Sequence, residues 1–304
     1  MKEKMNLVEL IQDFADENKC RAYLERLHWP KGVECLQCGS QKVYRILERN
    51  QFVCDECTHQ FSVTAKTIFH DTHLPLWKWF LATYLLCESR KGMSANQMAR
   101  QLAVSYKTAW YLCHRIRHAM IETNKKRLGG VVEMDETYVG GVKHGGRGPH
   151  ASEKEIVIGI RKRGGDLRFF HVKDTKSGTL AQYIRENISE NVEVIITDDW
   201  VGYPKAMMKA GFDGHRHKTI NHSGHIYVHG NIHTNTVESA FSLLKRGIMG
   251  TWHKVSAKHL ASYLDEMVFR FNNRKNPYLF RDTLIKLILS PNLEYKKLTS
   301  NVAA

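Results

Sequence analysis

The sequence predicts an α/β chain in two parts, a cysteine-bearing helical part followed by a sheet covered with helices. Three observations carry this. Two CxxC pairs, CLQC and CDEC, stand 15 residues apart near the start. Helical periodicity then dominates to about residue 124. After KKRLGG, residues 125–130, short Val- and Ile-rich runs alternate with helical stretches, the pattern of a mixed sheet with covering helices.

Composition narrows the partners. The 304 residues carry 45 Lys and Arg against 31 Asp and Glu, a net charge of +14, with a pI of about 9.4. Such a surplus favours a polyanion, double-stranded DNA or another nucleic acid first. An acidic membrane surface is the competing partner. The longest apolar run, LPLWKWFLATYLLC from Leu74, contains Lys78 and is too short to span a bilayer. The opening MKEKMNLVEL mixes acids with bases and lacks the uncharged core of a secretory signal, so a cytoplasmic protein without a membrane partner is expected.

Residues 1–30 read as a small helical cap that stops at Trp29-Pro30-Lys31-Gly32. Residues 31–72 follow as a zinc ribbon. Cys35, Cys38, Cys54 and Cys57 have the spacing of a tetrahedral four-cysteine zinc site, and the stretch between the pairs has short-strand composition. Two disulfides are the alternative, which the absence of an export signal disfavours. Four protein ligands leave no open position for water, so the zinc is expected to be structural. Cys20, Cys87 and Cys113 fall in helical patterns and read as buried apolar residues.

Residues 73–124 read as a buried helix, LWKWFLATYLLCES, and then two helices started by Ser94 and Ser105 with a break at Ala103-Val104. This is the layout of a helix-turn-helix. Its second helix, Tyr106 to about His118, would present Tyr106, Lys107, His114, Arg115, Arg117 and His118 to a DNA groove or its phosphates. An ordinary helical hairpin with a solvated basic face is the alternative.

Residues 125–290 form the second domain and 291–304 a tail. VVEMDETYVGG, EIVIGIRKRG and LRFFHVKD read as strands, SGTLAQYIREN as a helix and VEVIITDDW as another strand, compatible with a ribonuclease-H-like layer. Two of these strands end in acids: Asp135 and Glu136, then Asp198 and Asp199. Carboxylates at neighbouring strand ends repel unless a cation lies between them, and hard oxygen ligands suit magnesium or manganese. The best third acid is Glu238, in HTNTVESAFSLLKRGIMGTWHKVS, on a helix whose inward face would also carry Asn235 and Lys245. A strand-end Asp alone is more often a turn former. The combination is what points to a metal-dependent active site.

DETYVGG, TDxW, HTNTVES with LLKRGIMGTWHKVS, and RFNNR (Arg270 to Arg274) together resemble the DDE transposases of bacterial insertion sequences that carry an N-terminal zinc ribbon, the ISXO2-like branch. The resemblance covers nearly the whole chain. It implies a catalytic triad of Asp135, Asp198 and Glu238, with 62 residues between the first two and 39 between the last two. It implies Lys245, with Arg246 beside it, as a basic contact to the DNA end, and Asn235 as an extra ligand or a substitute for the third acid. Leu36-Gln37 stands where a proline-containing knuckle is common. Asp199 stands where a small residue often follows the second acid, which leaves open which of Asp198 and Asp199 is the ligand. The implied activity is binding of the element's ends, metal-dependent hydrolysis and strand transfer into target DNA, by at least a dimer on DNA. A DNA-binding regulator that no longer cuts and a nuclease without joining activity are the alternatives.

His215, His217, His222, His225, His229 and His233 crowd the approach to Glu238 without a standard ligand spacing; phosphate contact or packing is the expected role, with His233 the strongest candidate for a metal role. GGVKHGGRGPH lacks the GK[ST] of a nucleotide loop and reads as a basic DNA-facing loop. The closing helix buries Leu260, Tyr263, Leu264, Met267, Val268 and Phe271 as a core stripe.

Overall fold

Asn6 caps the first helix through a reciprocal pair of bonds with Glu9, and Asp16 caps the second, so both start where short polar side chains take over orphan backbone donors. The computed structural model describes residues 5–140, 154–220 and 232–300. The chain forms two compact units, Met1–Ile121 with Lys275–Ala304, and Glu122–Arg274.

In the first unit, α1 (Leu7–Phe14) and α2 (Glu17–His28) precede a three-stranded antiparallel sheet, β1 (Val43–Ile46), β2 (Gln51–Cys54) and β3 (Gln60–Phe61). Trp29, Phe52 and Phe61 pack edge-on beneath it. Then come α3 (Leu76–Glu88), α4 (Ala95–Leu102) and α5 (Tyr106–Ala119). Ser94 and Ser105 cap α4 and α5, and Ala103 ends α4 in the left-handed region, which makes the sharp break between them.

The second unit is a five-stranded sheet between two helical layers. Its strands are β4 (Val131–Val139), β5 (Glu155–Lys162), β6 (Leu167–Val172), β7 (Val194–Asp198) and β8 (His217–Ile220). The order is β6-β5-β4-β7-β8, antiparallel on the β5 and β6 side and parallel on the β7 and β8 side. On one face α6 (Ser177–Asn187) and α7 (Gly202–Ala210) cover Val132, Met134, Ile158, Ile160 and Ile195. On the other, α8 (Asn235–Gly247) and α9 (Ala257–Asn272) cover Val139, Val157, Leu167 and Phe169. Alternation along β4 therefore sends Val132, Met134 and Glu136 to the α7 side, and Glu133, Asp135 and Thr137 to the α8 side.

After α9 the chain returns to the first unit as α10 (Leu279–Leu289) and α11 (Tyr295–Thr299). Phe280 joins Phe14, Phe80 and Tyr84, and Leu287 accepts a backbone bond from Ile68. The segment up to residue 290, which the periodicity assigns to the second domain, thus completes the first. Its apolar residues fit aromatic partners on α1 and α3, a match invisible to local pattern. Among the described residues no helix is long and apolar enough to cross a membrane.

Candidate active site and metal-binding residues

Each CxxC pair lies on a tight turn. Gly39 and Thr58, directly after Cys38 and Cys57, adopt positive φ and donate their backbone N–H to Cys35 and Cys54. The turns bring all four sulfurs within 4.8 Å of one another, with no disulfide among them. The Cys35–Cys57 and Cys38–Cys54 separations are both 3.5 Å, near the ~3.8 Å edge of a tetrahedron with 2.3 Å zinc–sulfur bonds. The donor set and its shape fit a structural zinc ion.

The carboxylates gather on the α8 face of the second sheet. β4 and β7 are parallel neighbours with Glu133 paired to Ile196; carried two residues further, that register sets Asp135 level with Asp198. Asp135 pairs on its other side with Gly159 of β5. A Cβ there would stand 2.7 Å from Phe241 and 2.8 Å from Val237, so the missing side chain lets α8 lie close on the sheet beside Asp135. α8 brings Glu238 to that place. Thr234, at the head of the helix, donates its hydroxyl to Glu238 Oε1 at 2.6 Å.

Electrostatics registers the gathering. The Asp135 carboxyl is pushed up to about 7, first by burial, then by the charges of Glu136, Asp198 and Glu238, against one opposing bond from the Glu136 N–H at 2.8 Å. Glu136 points the other way and accepts from the buried Tyr203 hydroxyl at 2.6 Å. Burial raises its pKa as well, with Tyr203 working against it. Of the second acid pair, Asp198 is half-buried and accepts the Trp200 N–H at 3.1 Å, while Asp199 is exposed.

The inward face of α8 is Val237, Ala240, Phe241 and Leu244, not the line predicted from Asn235 through Glu238 to Lys245. Asn235, Lys245 and Arg246 are exposed, and Glu238 is half-buried between the two faces. The seven-residue spacing does align these residues, but along the edge of the helix, because an apolar stripe claims the face against the sheet.

Of the clustered histidines, His217 is tucked against Thr197 Oγ1 at 2.9 Å, and burial lowers its pKa. His233 Nδ1 faces Glu133 at 3.4 Å. His222, His225 and His229 lie outside the described residues, as does the glycine-rich loop after Gly140. RFNNR is structural: Arg270 pairs with buried Glu266 at 3.2 Å, and Asn272 clamps both backbone groups of Leu167.

On α5 the predicted DNA contacts divide. Lys107 is exposed, with its ammonium 4.7 Å from the Tyr295 ring, and Tyr106 beside it is exposed too. Arg115 and Arg117 are buried, at 4% and 1% exposure, and cannot meet DNA in this structure; His114 is buried with them. Arg115 bonds the carbonyls of Ile68 and His70 and Asn292 Oδ1, and stacks on Trp79 and Tyr111. It is an internal strut. The C-terminal half of α5 is enclosed on nearly every side, so its charges serve packing.

Sequence reasoning also missed Glu133, a wholly buried carboxylate two residues before Asp135 on the same face. The spacing held the signal, since residues i and i+2 of a strand share a face.

Residues 127–272 match the ISXO2-like transposase domain, and residues 15–60 the transposase zinc-ribbon domain. The uncharacterized protein in transposable element ISH50 of Halobacterium salinarum is 29% identical over 274 residues, spanning 84% of this chain and 90% of that protein. A Mos1 transposase paired-end complex with left transposon end is 11% identical, with a TM-score of 0.29 over 70% of this chain and 80% of that one. A pre-cleavage Mos1 transpososome is 11% identical, with a TM-score of 0.26 over 67% and 76%. Scores at this level do not establish a shared fold. The two matched domains fall, in order, on the cysteine turns and on the sheet that bears the acids: over these residues the chain is similar to an ISXO2-like transposase domain with a transposase zinc ribbon ahead of it.

Proposed function

We propose that the protein is an active DNA transposase that binds the ends of its element and carries out metal-dependent phosphodiester hydrolysis and strand transfer at Asp135, Asp198 and Glu238. The observation behind this is the convergence of acids from three separate elements on Asp135, whose carboxyl is held near 7 by burial and by the negative charges around it. Such a cluster is costly without a cation, and its oxygen donors fit magnesium or manganese. When bound, two such ions activate a water and stabilise the leaving oxygen of a phosphodiester.

The residues have separable tasks. Asp135, Asp198 and Glu238 would together hold the ions. The exposed Asp199 is left out of the site. Asn235, exposed one turn before Glu238, is at most an outer ligand. Tyr203 holds Glu136 on the opposite face, which fixes the strand without adding a ligand. A strand order with three antiparallel strands leading into two parallel ones supports a ribonuclease-H-like domain. Lys245 and Arg246, exposed on the last turn of α8, would contact the DNA end. The helix-turn-helix reading rests on the α4–α5 break, with Tyr106 and Lys107 at the free N-terminal end of α5, where such helices read DNA. Cutting and joining two ends calls for at least a dimer on DNA.

The test incubates the protein with magnesium and a labelled duplex carrying the DNA that flanks its gene, beside Asp135→Ala. Cut and joined products that vanish in the variant are expected. Cutting without joining would mark a nuclease, and tight binding with neither product a regulator.

A further inference from the structure

We infer that Glu133 is a positioning residue that fixes the third carboxylate, Glu238, against Asp135 by serving as the N-terminal anchor of the helix that bears it. This rests on the triad proposed above.

Glu133 has no exposure, and an isolated carboxylate that deep would be strongly unfavourable. Its partners explain its place. Oε2 accepts three bonds from the first turn of α8: the Thr236 N–H at 2.9 Å, the Thr236 hydroxyl at 2.7 Å and the Val237 N–H at 3.0 Å. Oε1 accepts Arg163 Nε at 2.6 Å. Arg163 in turn donates to the His233 carbonyl at 2.9 Å, and Arg161 to the Thr236 carbonyl, so one arginine of β5 and one directly after it secure the chain entering the helix.

The division of labour at that entrance is the informative detail. A helix normally has its first N–H groups capped by the residue just before it, here Thr234. Thr234 makes no such cap; its hydroxyl is turned to Glu238 instead. Glu133 takes over the capping from across the sheet, with a full negative charge at the positive end of the helix. That leaves Thr234 to orient the acid. The route from Asp135 to Glu238 then runs through two residues of one strand, one carboxylate and the first turn of one helix. Every link in it is a backbone or a hydrogen bond of 2.6–3.0 Å.

The test reads metal binding rather than activity alone. Mn2+ binding without DNA is measured by electron paramagnetic resonance on the zinc-loaded full chain, for wild type, Glu133→Gln, Thr236→Val and Glu238→Gln, with melting of the zinc-loaded protein before Mn2+ is added as the check on folding. Glu133→Gln is expected to weaken Mn2+ binding by about ten-fold or more, the usual consequence of losing a group that orients a ligand. Thr236→Val, which removes only the hydroxyl bond, shifts it in the same direction by less. The Mg2+ concentration that half-saturates cleavage rises in step, while DNA affinity holds. Wild-type Mn2+ binding in folded Glu133→Gln overturns the inference; should that variant fail to fold, Thr236→Val decides on the same criterion. Unchanged binding in Glu238→Gln would instead defeat the triad assignment, and the anchor with it.

Discussion

Gly159 sets how closely α8 lies on the sheet, and Gly159→Ala tests whether that closeness matters. The added methyl would stand 2.7 Å from Phe241 Cζ, 2.8 Å from Val237 Cγ2 and 2.9 Å from Phe241 Cε1. Carbon atoms rest at about 3.5–4.0 Å, so the helix must retreat by roughly 0.7–1 Å. Phe241 has no easy escape: it is buried and stacked on Phe169, with centroids 5.3 Å apart. The head of α8 is tied to Glu133, so the helix is expected to tilt, carrying Glu238 with it. Overpacking of this kind costs about 1–3 kcal/mol, a melting shift of a few degrees. A misplacement of about 1 Å at a catalytic group lowers its rate by up to ~10²-fold. The assay is calorimetric melting together with magnesium-dependent cleavage of the flanking duplex. Gly178→Ala is the control, because a Cβ at Gly178 meets nothing within 4 Å. Gly159→Ala that melts and cleaves like this control would refute the reasoning.

Further outcomes follow from the same geometry. The folded pKa of Asp135 lies above its ordinary value of 3.8, at about 7, so its ionisation opposes folding; stability without metal should fall as pH rises from about 4 to about 7. Asp135→Asn, zinc-loaded and without added magnesium or manganese, should therefore melt higher than wild type at about pH 8, by an amount worth up to ~4 kcal/mol, with the two converging near pH 4. Asp198→Asn should abolish cleavage and Asp199→Asn should leave it, read on the same duplex. Lys107→Ala should weaken DNA binding and reduce the salt slope by about 0.9, whereas Arg115→Ala should lower the melting temperature, in keeping with its buried carbonyl bonds. Chelating the zinc should melt the ribbon, with loss of its aromatic near-ultraviolet circular dichroism from Trp29, Phe52 and Phe61.

Much of this was legible in sequence because the signals are local. Caps at Ser94 and Ser105 bound α4 and α5, paired cysteines mark the ribbon, and the apolar run ending at Asp198 marks β7. Strand β4, expected to end at its acids, instead runs on through Thr137 and Tyr138 to Val139 with Asp135 at its centre, because its pairing with β5 continues past them. What was not legible depends on distant partners. The charge of Arg115 looks like a surface property until Asn292 and the Ile68 carbonyl close over it. Glu133 could be assigned to the same face as Asp135, but its purpose appears only when Thr236, a hundred residues on, is placed opposite it. The periodicity of α8 found its edge and mistook it for its inner face, since spacing gives alignment and not direction.

The return of the chain after α9 has a bearing on synthesis. The first unit lacks part of its core until the ribosome has passed the whole of the second unit. Phe280, the Thr283 partner of Cys87, and Asn292 are all made after the entire second unit. A product cut short by a frameshift or premature stop before Lys275 would keep the cysteine turns, α5 and the acids, yet leave α5 with its buried arginine uncovered. The first unit thus depends on a reading frame that stays open through the whole of the second, so a gene truncated before Lys275 is expected not to leave behind a folded first unit.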